Sequence, residues 1–95
     1  METKNLLDKL ERIERTINIY SKNGDDLLEE INIDNISIDK LKSIVTPREG
    51  DPLLYLGYEL NGKQLESFNR ELGNILNIDF TLHYYILECH GIYNW

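Results

Sequence analysis

The sequence predicts a small α+β domain: a mainly antiparallel four-stranded sheet with helices packed on one face. Three observations carry this. Two stretches of period-two alternation flank an Asn-Gly pair, two later stretches repeat apolar residues at helical spacing, and the remaining apolar runs are short and rich in tyrosine. The 95 residues suit one domain with one modest core. Neither an internal repeat nor a Gly/Ser/Pro linker divides them.

The elements are expected in the order α-β-β-α-β-α-β. Leu6, Leu7, Leu10 and Ile13 fall at helical spacing, with Lys4, Asp8, Lys9, Glu11 and Arg12 on the other face, which predicts a helix over 3–12. From Ile13 the period becomes two. Strands over 13–21 and 27–34 then form a hairpin around Asn23-Gly24, because both residues tolerate positive φ. Ser37 caps a helix over 37–46 that Thr46-Pro47 ends, since the residue before proline disfavours helical geometry. Leu53 to Leu60 reads as a strand. Asn61 and Gln64 form a capping box for a helix over 62–72, whose stripe is Leu65, Phe68 and Leu72 and whose stop is Gly73. A last strand is expected over 82–90, where Tyr84, Tyr85, Ile86 and Leu87 supply strand-forming side chains.

Composition narrows the function classes. Seventeen acids against ten bases give a net charge of −7, which argues against direct nucleic-acid binding and against an anionic membrane surface, because both select Lys and Arg. The N-terminus is too charged for a signal-peptide core, and no apolar run reaches the ~20 residues of a membrane helix. One cysteine, Cys89, rules out an internal disulfide framework and fits a reducing cytoplasm. Catalytic signals are weak. Cys89 and His90 are adjacent in a predicted strand and therefore face opposite ways, His83 and His90 do not make a metal set, and neither a phosphate-binding loop nor a nucleophile elbow is present. Glu88, inside an apolar run, reads either as a carboxyl of raised pKa or as the strand's solvent-side residue. The expectation is a binding module and not an enzyme, with no cofactor and no metal.

The charge is concentrated. Residues 20–39 hold one base, Lys22, against Asp25, Asp26, Glu29, Glu30, Asp34 and Asp39, a net of −5. These carboxylates either guard an edge strand against unwanted pairing or form a face for a basic partner. Aromatic residues gather in the second half: Tyr55, Tyr58, Tyr84, Tyr85 and Trp95. Tyrosine and tryptophan suit interfaces because each joins a large apolar area to one polar atom.

The succession of an Asn-Gly hairpin, a Ser-Ile-Asp-Lys-Leu helix, Asp51-Pro52-Leu53 before a Tyr-bearing strand, a Gln64 helix and a closing Asp79-Phe80…Tyr84-Tyr85-Ile86-Leu87-Glu88-Cys89 resembles a family of small acidic bacterial proteins. That family has no assigned activity and closes on a Tyr-x-Tyr-Phe-Leu-Glu-like motif. The resemblance spans about residues 13–90; Ile86 stands where phenylalanine is expected, and the helix over 3–12 is an addition. Such proteins look like immunity proteins of contact-dependent or other polymorphic toxin systems. The resemblance implies a cytoplasmic partner that neutralises a cognate toxin domain, with a basic nuclease as the expected class, and it transfers no toxin-binding residue. The residues themselves nominate Asp25, Asp26, Glu29, Glu30 and Asp34 for contacts to toxin Lys and Arg, and Tyr55, Tyr58 and Trp95 as anchors. The protein alone is expected to be a monomer or a weak homodimer. The competing expectation is a self-associating structural or regulatory domain that pairs through a sheet edge.

Overall fold

A computed structural model describes residues 10–93. The elements are β1 (Leu10–Ser21), β2 (Leu27–Asn32), α1 (Ile38–Ile44), β3 (Tyr58–Glu59), α2 (Gly62–Leu72) and β4 (His83–Tyr93). The four strands form one sheet in the order β2-β1-β4-β3, and each neighbouring pair is antiparallel. The α+β class and the antiparallel sheet agree with the sequence expectation, but the order is β-β-α-β-α-β.

The difference lies at the start of the chain. Residues 3–9 of the expected N-terminal helix lie outside the described residues, while Leu10, Glu11 and Arg12 belong to β1. Leu10 pairs with Tyr93, Arg12 with Ile92 and Ile13 with Gly91. A short helix needs tertiary support to persist, and the ladder offered by the long β4 satisfies this backbone instead.

The hairpin joining β1 and β2 runs as expected, but its turn does not use Asn-Gly in the way assumed. Ser21 N–H donates to Asp26 C=O at 2.9 Å and Asp25 N–H donates to Ser21 C=O at 3.0 Å. The left-handed residue of this wider loop is Asp25, with φ 56°. A register shift between Ile19 and Tyr20 completes the connection.

β3 is shorter than the expected strand over 53–60. Only Tyr58 and Glu59 pair, with Leu87 and Ile86. Residues 53–57 instead fold around Asp51, whose carboxylate accepts the N–H of Tyr55 at 2.8 Å and of Leu56 at 3.1 Å, and the hydroxyl of Tyr58 at 2.5 Å. A buried carboxylate that gathers backbone donors competes with a strand ladder for the same groups.

Both helices follow their sequence signals. Ser37 Oγ accepts Lys40 N–H at 3.2 Å to open α1. Asn61 Oδ1 accepts Gln64 N–H at 2.8 Å, Gln64 Oε1 accepts Asn61 N–H at 2.9 Å, and Gly73, with φ 77°, closes α2. Replacing Asn61 with alanine is expected to cost ~1 kcal/mol in chemical denaturation, whereas Asn61→Asp retains most of it; equal midpoints for wild type and Asn61→Ala would show that the cap is dispensable.

The core forms where Leu41 of α1 and Leu65 and Phe68 of α2 meet Ile17 and Ile19 of β1 and Tyr85 and Leu87 of β4. Both helices therefore cover the same face of the sheet. The opposite face carries no helix among the described residues.

Candidate partner-binding face

Strand alternation and register define what that opposite face presents. β1 contributes Glu14, Thr16, Asn18 and Tyr20. Across the ladder, β4 sets His90 against Glu14, Glu88 against Thr16, Ile86 against Asn18 and Tyr84 against Tyr20. On the other side β2 sets Asn32 against Thr16 and Glu30 against Asn18. Glu59 of β3 pairs with Ile86. The face is a field of carboxylates, amides and tyrosine rings, with Arg12 paired to Glu14 at 2.7 Å near one end.

Its centre is tightly connected. Asn18, only 2% exposed, donates through Nδ2 to Glu88 Oε2 at 3.0 Å and, more weakly, to Glu30 Oε1 at 3.4 Å. Thr16 Oγ1 donates to Asn18 Oδ1 at 2.6 Å. The Tyr20 hydroxyl donates to the same Glu88 oxygen. Tyr20 and Tyr84 stack with centroids 5.1 Å apart and planes 14° apart, and the Tyr84 hydroxyl donates to Asp25 Oδ1 at 3.0 Å. The result is a negative surface whose central side chains are held by hydrogen bonds and need little reorganisation to meet a partner.

The phenols record that environment. The hydrogen bond to Glu88 raises the Tyr20 pKa, because ionisation would lose a donor and place two negative charges together. Burial raises Tyr84, and its bond to Asp25 adds to the effect. Tyr20 is therefore expected to titrate above 10.0, and Glu88→Gln is expected to bring it down. Side-chain carbon NMR of labelled tyrosine measures this directly; an unchanged titration in the variant would remove Glu88 as the cause.

The residues nominated from the sequence divide between locations. Glu30 lies on the open face and Asp25 at its end. Glu29, one residue away, points to the helix-covered side and lines a cleft with Ile31 and His83. Asp26 is an exposed turn residue. Asp34 serves the backbone, accepting Arg15 N–H at 2.9 Å and Asn32 Nδ2 at 3.1 Å. Tyr55 is 46% exposed in the loop after Asp51, with the Arg15 guanidinium 5.7 Å from its ring centroid. Tyr58 corrects the expectation of a surface anchor: it is 6% exposed, its hydroxyl donates to Asp51 and accepts Arg48 N–H at 3.0 Å, and it belongs to the core. Trp95 lies outside the described residues.

Tyr20, Asn18, Tyr84 and Glu88 were not among those nominations. Their signal was the shared period of two in the first and last strands, but its meaning depended on β1 and β4 being neighbours. Glu88 is on the solvent side of its strand, as one of its two readings held. Cys89 and His90 do face opposite ways: Cys89 lies across from Arg15, where burial pushes its thiol pKa up, and His90 lies across from Glu14. Among the described residues, no group of three or more His, Cys, Asp and Glu side chains could hold a metal ion, and no helix is long and apolar enough to cross a membrane.

Residues 14–88, from the middle of β1 to this carboxylate of β4, match a family described as a domain of unknown function, DUF7683. The chain belongs to that family. The match takes in β2, both helices, β3 and most of β1, and ends within β4. No curated protein and no solved structure matches the chain.

Proposed function

We propose that this DUF7683 protein is an immunity protein: a cytoplasmic binding module that neutralises a cognate bacterial toxin domain, a nuclease in the simplest case, through its acidic sheet face. The single observation that carries the reading is the face, without a helix among the described residues, on which Glu30, Glu59 and Glu88 lie in the rows beside the stacked tyrosines. A nuclease cleft is built from basic groups that hold phosphate. An array of carboxylates offers those groups the same charge, steers encounter at long range, and leaves the tyrosine rings to supply contact area. The overall charge of −7 has the sign this requires.

The reading predicts that the gene lies beside one encoding a toxin domain, and that co-expression of the protein restores growth to cells expressing that domain. Growth arrest that persists at equal expression of both proteins would overturn it. Light scattering of the protein alone supplies a second check, because a tight, concentration-independent dimer would favour a self-associating role instead.

A further inference from the structure

β2 is an edge strand, and its outer side has no neighbour among the described residues. Ile33 N–H donates to Arg15 C=O at 3.0 Å, and the register continues through Ile31–Ile17 and Glu29–Ile19. Antiparallel ladders alternate, so the N–H and C=O of Glu30 and Asn32 turn away from β1. Beside this edge, on the helix-covered side, lies a cleft of about 220 Å³ in which Ile19, Leu28, Ile31 and Ile75 supply apolar surface and Glu29 and His83 polar groups. Leu28 and Ile75, 53% and 58% exposed, put apolar surface beside this edge strand.

Charge decides what this edge can receive. A second copy pairing antiparallel about Glu30 would set Glu30 against Glu30, with Asp25, Asp26 and Glu29 of both copies nearby, and like charges opposed across strands are destabilising. An extended segment carrying Lys or Arg meets the opposite situation. In such a segment alternate side chains point to opposite faces. One set reaches the cleft beside Ile75 and the other the carboxylate of Glu30.

We propose that β2 receives a partner segment of alternating basic and apolar residues as a fifth strand. Backbone bonds at Glu30 and Asn32 give affinity, and the cleft and Glu30 read the alternation. This rests on the reading that the partner is a basic protein, and it names the element that grips it.

The test is an NMR titration of the full chain with a short capped peptide alternating lysine and valine. Two controls accompany it: a peptide of the same composition with the lysines and valines in separate blocks, and the alternating peptide N-methylated at every second residue. The alternating peptide is expected to slow amide exchange at Glu30 and Asn32 by at least ~10-fold. Both controls are expected to bind at least ~10-fold more weakly, as is the alternating peptide to Glu30→Lys. Absence of binding, equal binding of the N-methylated peptide, or protection of these amides in a peptide-free dimer would each overturn the proposal. Shifts at Tyr20 and Tyr84 without edge protection would overturn strand addition alone and leave the acidic-face reading standing. Edge protection by the peptide together with failed growth rescue would remove the toxin reading alone.

Discussion

Asp51→Ala is expected to lower the melting temperature at neutral pH by roughly 10 °C or more, because it strips partners from several polar groups at once. The carboxylate is 4% exposed and holds the loop between α1 and β3 through Tyr55 N–H, Leu56 N–H and the Tyr58 hydroxyl. That loop also places Leu54, fully buried with a positive φ of 58°, in the core, a conformation a leucine adopts only where its surroundings impose it. Asp51→Asn keeps one carbonyl acceptor and the shape, so it is expected to fall between the alanine variant and wild type.

The pH dependence has a definite sign. Burial alone would raise the Asp51 pKa, but hydrogen bonds from Tyr58, Leu56 and Tyr55 and the nearby charge of Arg48 outweigh it and hold the carboxyl below its ordinary 3.8. A group whose pKa is lower in the folded state contributes its stability above the unfolded value and loses it as pH falls through the folded value. The gap in melting temperature between wild type and Asp51→Ala is therefore full at pH values above 3.8 and narrows as the pH falls below it. Circular dichroism melts across that range measure it; a gap that stays constant into acid would show that the carboxylate's charge has no part in holding the loop.

Where local signals and tertiary needs agreed, the fold was legible. Asn61, Gln64, Leu65, Phe68 and Gly73 act within one helix, so their spacing alone specifies it. The alternation from Ile13 to Ile19 and from Leu27 to Ile31 likewise specifies its own strands. The misses have a common cause in partners distant along the chain. Leu10 to Arg12 can be read as helix until β4 is placed beside them, and Leu53 to Gly57 as strand until Asp51 takes the amides of Tyr55 and Leu56. The same holds for the candidate site. The acidic stretch was visible as composition, but alternation separates Glu29 from Glu30, and Asp34 is occupied by backbone. The tyrosines and carboxylate that complete the face come from strands distant in sequence, joined only by the β1–β4 ladder.

The largest effect on binding is expected from reversing charge on the open face itself. Glu30 and Glu59 are exposed and lie at opposite margins of the face; of the central network that Glu88 and Asn18 maintain, Glu30 holds one long bond from Asn18 at 3.4 Å. Glu30→Lys with Glu59→Lys is expected to weaken binding of the toxin domain by at least ~100-fold, because attraction becomes repulsion at two points of contact. Asp39→Lys with Glu66→Lys makes the same change in net charge at exposed positions on the helix side. That control is expected to stay within about 3-fold of wild type, since screening limits its influence to long-range steering.

The most direct measurement is the dissociation constant of the complex with that toxin domain, taken by calorimetry over a series of salt concentrations for wild type and both double variants. The acidic face predicts tight binding that weakens steeply with salt in wild type and in Asp39→Lys/Glu66→Lys, and weak, nearly salt-independent binding in Glu30→Lys/Glu59→Lys. Equal affinity and equal salt dependence in all three would contradict it.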